Sequence, residues 1–400
     1  MNPRLSQLRP YPFARLRALL KDVEPNPALP PLKLSLGEPE HAPPAAALEA
    51  LKAACFSAVG KYPSTTGTLE LRIAIADWLK LRFRLKSVIP DRHILPANGT
   101  REALFSVVQA LTGSVKTQGK RSCVLIPNPF YQIYEGAAIL AGVEPVFYPI
   151  DPATNQPDFD AISADDLDRC ELMYICTPGN PSGQSLPLEQ LKKLIELAQK
   201  HDFVLVSDEC YSELYLDESQ PCIGLLQASE EMGNSEYKNC LVCHSLSKRS
   251  NLPGLRSGFV AGDADLIEKF LMYRTYHGSA MALHHQAASA AAWQDETHVA
   301  NNRHLYRQKY NAMMPILEKH FNFIKPDSGF YLWLKTPIDD QEFTKSLYQD
   351  QNLVVVPGSF LARDTGAGSP GKNRIRLALV SSVEACTQAA ERLCNHSESL

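Results

Sequence analysis

Four side chains that could bind a phosphate and react with a carbonyl group lie close together between residues 245 and 262. The segment reads SLSKRSNLPGLRSGFVAG, follows a predicted strand, and carries Ser245, Ser247, Lys248 and Arg256. The guanidinium of Arg256 offers a planar set of donors that matches a phosphate, and hydroxyl groups complete such a cradle. A lysine beside an arginine in a polar loop is usually solvated on the protein surface. A functional role for Lys248 therefore depends on further candidate residues elsewhere in the chain.

An acid and a phenol follow another predicted strand. The run FVLVS (203–207) leads directly into DECY, which places Asp208 and Tyr211 at the carboxyl end of that strand. Ligands of open α/β sheets bind at the carboxyl ends of the strands. Asp208 could pair with a protonated nitrogen of a heteroaromatic ring, and Tyr211 could donate to a phenolate oxygen. These residue types extend the predicted site from a phosphate to a flat, charged ring.

Three more strand ends carry groups that suit the same ligand. TPGNPSG forms a turn that presents Asn180, and Tyr131 follows the strand CVLIP closely enough to lie over a flat ring. ILPANGTREAL predicts a strand that enters a helix, whose free backbone amides at Gly99, Thr100 and Arg101 suit a phosphate. By itself the TPGNPSG segment predicts only a turn. Because the carboxyl ends of parallel strands lie at one edge of a sheet, however, we expect Asn180 to lie near the other candidate residues.

The elements that must position these side chains alternate in type. From about residue 46, helical periodicities such as that of 188–201 alternate with short apolar runs that end in Gly, Pro, Asn or Ser. This pattern predicts α/β layering with a largely parallel sheet. The strand candidates of this part are 123–127, 146–150, 172–176, 203–207, 239–244 and 258–262.

The two ends of the chain differ from the centre. Proline is concentrated before residue 45, which predicts an arm with one short helix at 15–23. After about residue 285 the pattern predicts a long helix, a strand-rich part and a terminal helix, with strand candidates at 328–334, 353–361 and 374–380. We therefore predict a large central α/β domain and a smaller α+β domain made of both chain ends.

Composition excludes several classes of partner. The 400 residues carry 40 basic and 44 acidic side chains, a net charge of −4, without the runs of like charge typical of nucleic-acid or membrane-surface binding. A signal peptide and an apolar run of about 18 residues are both lacking, which predicts a cytoplasmic protein whose ten cysteines are reduced. Cys240 and Cys243 form C-x-x-C in a predicted strand that would point them to opposite faces, so no metal site is expected.

Five segments together identify a family resemblance. TPGNPSG, DECY, SLSKRSNLPGLRSGF, KYPSTTGTLELR and RIRLALV are similar, in order and spacing, to the class I/II aminotransferases of the fold-type I pyridoxal-phosphate enzymes. The resemblance implies a large domain with a mostly parallel seven-stranded sheet between helices and a smaller α+β domain from both chain ends. We place the N-terminal arm and part of the small domain in 1–45, the cofactor domain in 46–289 and the rest of the small domain in 290–400.

The resemblance also implies roles for individual residues around pyridoxal 5′-phosphate. Lys248 would bond to the cofactor aldehyde and move the substrate proton, Asp208 would hold the ring nitrogen, and Tyr211 and Asn180 would bond the ring oxygen. Tyr131 would stack on the ring. The phosphate would be held by Gly99, Thr100, Arg101, Ser245, Ser247 and Arg256.

Further implied residues concern the substrate and a second subunit. Gly37 and Arg376, with Asn180, match the positions that receive the substrate α-carboxylate; Arg374 lies two residues from Arg376 on the same predicted face and competes for that assignment. Tyr62, in the K-Y-x-x-x-x-G stretch, matches a tyrosine that reaches the phosphate of the neighbouring subunit. The resemblance therefore implies a homodimer with shared sites, acting on a small amino acid and a 2-oxo acid.

Within the family, NPRLSQLRPYPFARLRALL, LGEPEH and YRTYHGSAM are most similar to bacterial N-succinyldiaminopimelate aminotransferases of lysine biosynthesis. Dicarboxylate aminotransferases keep a distal arginine about thirty residues past the lysine, where this chain has Met281–Leu283, although Arg274 is near.

Aromatic- or alanine-type transamination and a cysteine-conjugate β-lyase reaction remain alternatives. A cofactor-binding regulator would need a helix-turn-helix region, for which the Pro-rich arm is too short.

Overall fold

The computed structural model describes residues 1–113, 116, 119–366 and 368–400. Its strands, in chain order, are β1 (Leu32–Lys33), β2 (Ile94–Ala97), β3 (Cys123–Asn128), β4 (Glu144–Pro149), β5 (Cys170–Cys176), β6 (Val204–Asp208), β7 (Cys240–Ser245), β8 (Gly258–Gly262), β9 (Tyr331–Lys335), β10 (Leu353–Val354), β11 (Val356–Pro357) and β12 (Arg374–Ala378).

Helices alternate with these strands along much of the chain. In chain order they are α1 (Pro12–Leu20), α2 (Ala45–Ala58), α3 (Leu69–Phe83), α4 (Pro90–His93), α5 (Thr100–Leu111), α6 (Gln132–Ala141), α7 (Ala164–Arg169), α8 (Leu188–His201), α9 (Leu225–Glu231), α10 (Leu246–Arg249), α11 (Ala264–His277), α12 (Leu283–Gln294), α13 (Thr297–Leu317), α14 (Asp340–Gln351) and α15 (Val383–Glu398).

A seven-stranded sheet forms the centre of the large part of the molecule. Its order is β2-β8-β7-β6-β5-β3-β4, and the neighbours from β7 to β4 are parallel, whereas β8 runs antiparallel to β7 and β2. Apolar side chains cover both faces of this sheet and pack under helices on each side. The fold class expected from the sequence is confirmed, because strands buried on both faces read as short continuous apolar runs.

The smaller part combines the two ends of the chain. β11, β12 and β9 form an antiparallel sheet, and β1 pairs in parallel with β10, so that Leu32 lies opposite Leu353. A separate apolar core lies among this sheet and helices α13, α14 and α15. The predicted domain boundaries after residues 45 and 289 stay a prediction.

The sequence prediction of one strand over 353–361 is wrong. Residues 353–354 pair with β1, 356–357 pair with β12, and 358–360 form a 3₁₀ helix. The physical reason is tertiary pairing: the chain passes from one sheet to the other at Val355, and Pro357, which has no N–H, does not continue the second ladder. The first helix also begins at Pro12 rather than at residue 15, because proline is well tolerated in the first turn.

A single glycine, Gly99, precedes the helix that starts at the carboxyl end of β2. Gly99 precedes α5 with a φ of +83°, a left-handed conformation that side chains other than glycine rarely adopt. A Cβ atom there would lie 2.4 Å from a terminal nitrogen of Arg256. Gly99 therefore allows the helix start and the arginine to meet.

Candidate active site

A cavity of about 510 Å³ lies at the carboxyl edge of the parallel strands, bounded on one side by residues of the chain ends. Most of the residues predicted for the site line it, although they come from distant parts of the sequence. These are Gly37, Thr100, Arg101, Tyr131, Asn180, Asp208, Tyr211, Ser245, Ser247, Lys248, Arg256 and Arg376.

Two predicted residues lie elsewhere. Gly99 touches Arg256 from behind the cavity wall, as described above. Tyr62 has a side chain that is fully exposed, at 102%, and it contributes nothing to the cavity of its own chain in the parts the structure describes. Full exposure of a tyrosine is what a contact with a second subunit would require, so the role of Tyr62 stays a prediction.

Lys248 lies in the single turn α10 that follows β7, and its side chain extends into the cavity. Its Nζ donates to the backbone carbonyl of Gly37 and lies 5.4 Å from the centre of the Phe330 ring. Burial lowers the pKa of this amine to about 8, because desolvation disfavours the ammonium form. At pH 7 about a tenth of Lys248 is therefore an uncharged amine, which can attack a carbonyl carbon or accept a proton, far more than for a lysine with an ordinary pKa.

Asp208 ends β6 and is buried, with 5% of its surface exposed. Its Oδ2 accepts a hydrogen bond of 2.7 Å from the hydroxyl of Tyr134, and its Oδ1 accepts one of 3.3 Å from the backbone N–H of Cys210. Burial raises the pKa of this carboxyl, while hydrogen bonds from the Cys210 thiol, the Tyr134 hydroxyl and the Cys210 backbone N–H oppose the rise. A buried carboxyl with only neutral donors is well matched to a cationic ligand group, such as the protonated ring nitrogen of pyridoxal phosphate.

The groups expected to hold a phosphate also meet. α5 starts at Thr100, so its free amides and the positive end of its dipole face the cavity where Thr100 and Arg101 line it. Ser245 caps α10, its Oγ accepting from the amide of Ser247 at 3.0 Å. Arg256 donates to the carbonyl of Pro253 at 3.0 Å, which holds its guanidinium at the same end of the cavity. The donor set fits the phosphate of the expected cofactor.

Arg376 reaches the cavity from β12 and is 4% exposed, so it does not lie on a solvated face. It donates to Asn180 Oδ1 and to the carbonyl of Ser35, each at 3.0 Å, and lies over the Tyr331 ring at 4.3 Å. Among the described residues its Nε has no hydrogen-bond partner, a buried donor that a ligand carboxylate would satisfy. Arg374 lies over Trp333 instead and is outside the set of described residues that line the cavity.

Sequence reasoning missed several residues that touch the predicted ones. Tyr134 bonds Asp208, Tyr331 bonds the hydroxyl of Tyr211 at 3.1 Å, and Tyr11 of the N-terminal arm lines the cavity. Tyr134 lies three residues after Tyr131, one helical turn on, and that spacing was the available signal. Tyr11 and Tyr331 gave no local signal, because only the tertiary fold brings their segments to the sheet edge.

Other candidates take no part in this cavity. Arg274, considered as a distal anchor, is fully buried and donates to the carboxylate of Glu102 at 3.1 Å and to the carbonyl of Ser279 at 2.7 Å. Cys240 and Cys243 belong to the apolar clusters on opposite faces of the sheet, and the ten cysteines are free thiols. Over the residues that are described, no His, Cys, Asp and Glu side chains cluster as metal ligands would, and no helix is long and apolar enough to cross a membrane.

Comparisons with known proteins agree with this geometry. The family model "Aminotransferase class I and II" matches residues 30–393. An LL-diaminopimelate aminotransferase of Aquifex aeolicus is 30% identical over 403 residues, which cover 98% of each chain. A 4-dedimethylamino-4-oxo-anhydrotetracycline transaminase of Streptomyces rimosus is 32% identical over 365 residues, covering 90% of this chain and 92% of that one. The crystal structure of an aminotransferase of Neisseria meningitidis superposes with a TM-score of 0.94 at 46% identity, covering 99% of this chain and all of the other.

Proposed function

Because the chain belongs to the class I and II aminotransferases, which use pyridoxal 5′-phosphate, we propose that it transfers an amino group between glutamate and N-succinyl-2-amino-6-oxopimelate. The product would be N-succinyl-diaminopimelate, a precursor in lysine biosynthesis. One observation carries the aminotransferase assignment to this chain: the buried amine of Lys248, whose pKa is lowered to about 8, and the buried carboxyl of Asp208 line one cavity with Arg376.

The cofactor supplies an aldehyde that bonds to the substrate nitrogen and a ring that withdraws electrons from the substrate Cα. Lys248 would hold the cofactor through its aldehyde, and its Nζ, when not so bonded, would accept the proton of the substrate Cα. Since burial keeps this amine partly uncharged, it can accept that proton near neutral pH. Asp208 would hold the proton of the ring nitrogen throughout.

The substrate α-carboxylate would lie between Arg376 and Gly37. Arg376 keeps an unpartnered Nε among the described atoms, and its other nitrogens are fixed by Asn180 and Ser35. Gly37 lets the Tyr331 ring pack closely against this wall, because a Cβ atom there would lie 2.0 Å from the hydroxyl of Tyr331. The fixed guanidinium fork would select substrates with a carboxylate beside the reacting amine.

A long dicarboxylate needs a second cation, for which Arg101 is placed suitably. Arg101 lines the cavity, and its Nε donates to the hydroxyl of Tyr131 at 2.8 Å. Its two terminal nitrogens have no hydrogen-bond partner within the described ranges, so they are free to donate hydrogen bonds to the distal carboxylate of a substrate. The positions of Arg376 and Arg101 support a substrate that is acidic at both ends.

Unacylated LL-diaminopimelate is a second candidate, because the Aquifex aeolicus relative is named for it. Glu38 lines the cavity with an exposed carboxylate that could accept the distal ammonium, a group that succinylation removes. The Streptomyces rimosus relative, at similar identity, is named for a tetracycline intermediate. Substrate choice therefore varies at this level of similarity and needs a direct measurement.

A homodimer is part of the proposal. Large apolar side chains are exposed along one stretch of the chain, among them Phe56 at 90%, Val59 and Ile73, and Tyr62 lies between them in sequence. Exposed apolar patches of this kind favour burial against another protein surface. Tyr62 would thereby reach the phosphate site of the second subunit.

The test is a panel of amino donors and oxo-acid acceptors, followed by the absorbance of the bound cofactor in stopped flow. We expect rapid bleaching by glutamate and by N-succinyl-diaminopimelate, and slow bleaching by alanine and phenylalanine. Faster bleaching by unacylated LL-diaminopimelate would move the assignment to the second candidate. Release of pyruvate and ammonia from a cysteine conjugate without any acceptor would replace transamination by β-lyase chemistry.

A further inference from the structure

The hydroxyl of Tyr134 touches the carboxyl of Asp208 from the side of α6. Tyr134 is completely buried, and its hydroxyl donates to Asp208 Oδ2 at 2.7 Å. Its ring is stacked on Tyr174, with centroids 4.3 Å apart and planes 16° apart, and it meets the ring of Tyr131 edge-on at 5.7 Å. Ring packing on two sides therefore fixes the Tyr134 side chain with its hydroxyl hydrogen bond directed at Asp208.

We propose that Tyr134 is a positioning residue, which fixes the carboxylate of Asp208 and keeps it ionised so that it can hold the proton of the cofactor ring nitrogen. The inference rests on the proposed function, in which Asp208 is the partner of that nitrogen. Tyr134 itself would touch neither the substrate nor the reacting atoms.

Two physical arguments support this role. A hydrogen bond to an ionised carboxylate stabilises the charged form, while burial alone disfavours it. Apart from Tyr134, the donors to Asp208 among the described residues all belong to Cys210: its thiol, a weak donor, and its backbone N–H, which is 3.3 Å away. The phenol also stays protonated over the working pH range, because burial and the Asp208 charge raise the pKa of Tyr134 far above its usual value.

The test compares two cofactors in apoprotein: pyridoxal 5′-phosphate and the analogue in which a C–H group replaces the ring nitrogen. The analogue has no proton for Asp208 to hold, but it keeps the aldehyde, the ring and the phosphate. We expect Tyr134→Phe to weaken binding of pyridoxal phosphate by about tenfold, as for loss of a hydrogen bond to a charged group, and to leave binding of the analogue within about twofold.

Tyr148→Phe is the matched control. Tyr148 is also a buried tyrosine, but its hydroxyl donates to the carbonyl of Tyr174 at 2.6 Å rather than to Asp208. The control variant should bind both cofactors as the unchanged protein does. Tyr134→His keeps a ring and a donor, and we expect it to recover part of the preference for pyridoxal phosphate.

The outcomes separate the possible failures. Equal losses for the two cofactors in Tyr134→Phe, or no loss for either, would overturn the positioning role. If the Tyr134→Phe apoprotein does not unfold cooperatively on heating, the Tyr134→His variant is used to test the proposal instead. Weak binding of both cofactors by Tyr134→His would show that Tyr134 stabilises the fold and does not position Asp208. Failure of the unchanged protein to prefer pyridoxal phosphate over the analogue would contradict the role of Asp208 itself, and with it the proposed function.

Discussion

The cavity has two sides that are built in different ways. The sheet side consists of residues from strand ends and helix starts between 100 and 256, which include Asp208 and Lys248. The end-segment side consists of residues from 11–38 and 331–376, which include Glu38 and Arg376. On the sheet side each residue lies beside its own strand, so short motifs hold its position. On the end-segment side, contacts between the two chain ends hold the residues in place, so local sequence changes there can reshape that wall of the cavity while leaving the sheet side intact.

The largest expected effect lies on the sheet side. Lys248→Ala should reduce transamination by at least about 10⁴-fold, because it removes the amine that we propose both bonds to the aldehyde and moves the proton. The thermal midpoint of unfolding should change little, since a ligand-facing side chain and not a core group is removed. Turnover assays with calorimetry of the same samples check this. Residual activity above about one per cent would remove Lys248 from its role.

The pH dependence of cofactor capture also belongs to the sheet side. Aldehyde capture needs the uncharged amine, and the pKa of Lys248 lies at about 8 because of burial. The capture rate of apoprotein should therefore rise about fiftyfold between pH 6 and pH 8 and level off above that. Stopped-flow absorbance at several pH values measures it. A rate that keeps rising to pH 10 would indicate an amine with an ordinary lysine pKa and contradict the burial argument.

On the end-segment side, Arg376→Gln should raise KM for amino-acid substrates about tenfold or more, as expected for losing a charge-assisted bond to the α-carboxylate. Arg374→Gln is the matched control, because Arg374 lies on the same strand over Trp333. The control should leave KM unchanged. Steady-state kinetics on both variants decide between them, and equal increases would place the carboxylate elsewhere.

The smallest effect should fall on substrate preference alone. Glu38→Gln removes an exposed carboxylate from the cavity, and exposed charge pairs contribute about 1 kcal/mol or less. We expect turnover of unacylated LL-diaminopimelate relative to the succinylated form to fall up to about fivefold. The glutamate half-reaction should stay within about threefold. A variant that changes neither ratio would show that Glu38 does not meet the distal end of the substrate.

The two sides also differ in how far sequence could predict them. α8 was predicted with the bounds it has, and Asp208, Asn180 and Lys248 were predicted at one sheet edge, because parallel strands present their carboxyl ends together. Tyr331 and Tyr11 could not be found, since strand and arm patterns do not encode which distant segment they meet. The strand over 353–361 failed for the same reason: its residues divide between two sheets, a choice made by tertiary pairing.

The pairing of β1 with β10 has a consequence for how the molecule is made. Leu32 and Lys33 find their partners only after Leu353 and Val354 have been synthesised, and the bond from Arg376 to the carbonyl of Ser35 joins positions 341 apart. The seven-stranded sheet lies between these segments in the chain, so it can form during synthesis while the N-terminal arm is still unpaired. Such long-range closure is slow because loop entropy must be overcome first. The end-segment side of the cavity is therefore completed after the sheet side, and a nascent chain that stops before β12 lacks Arg376, the proposed partner of the substrate carboxylate.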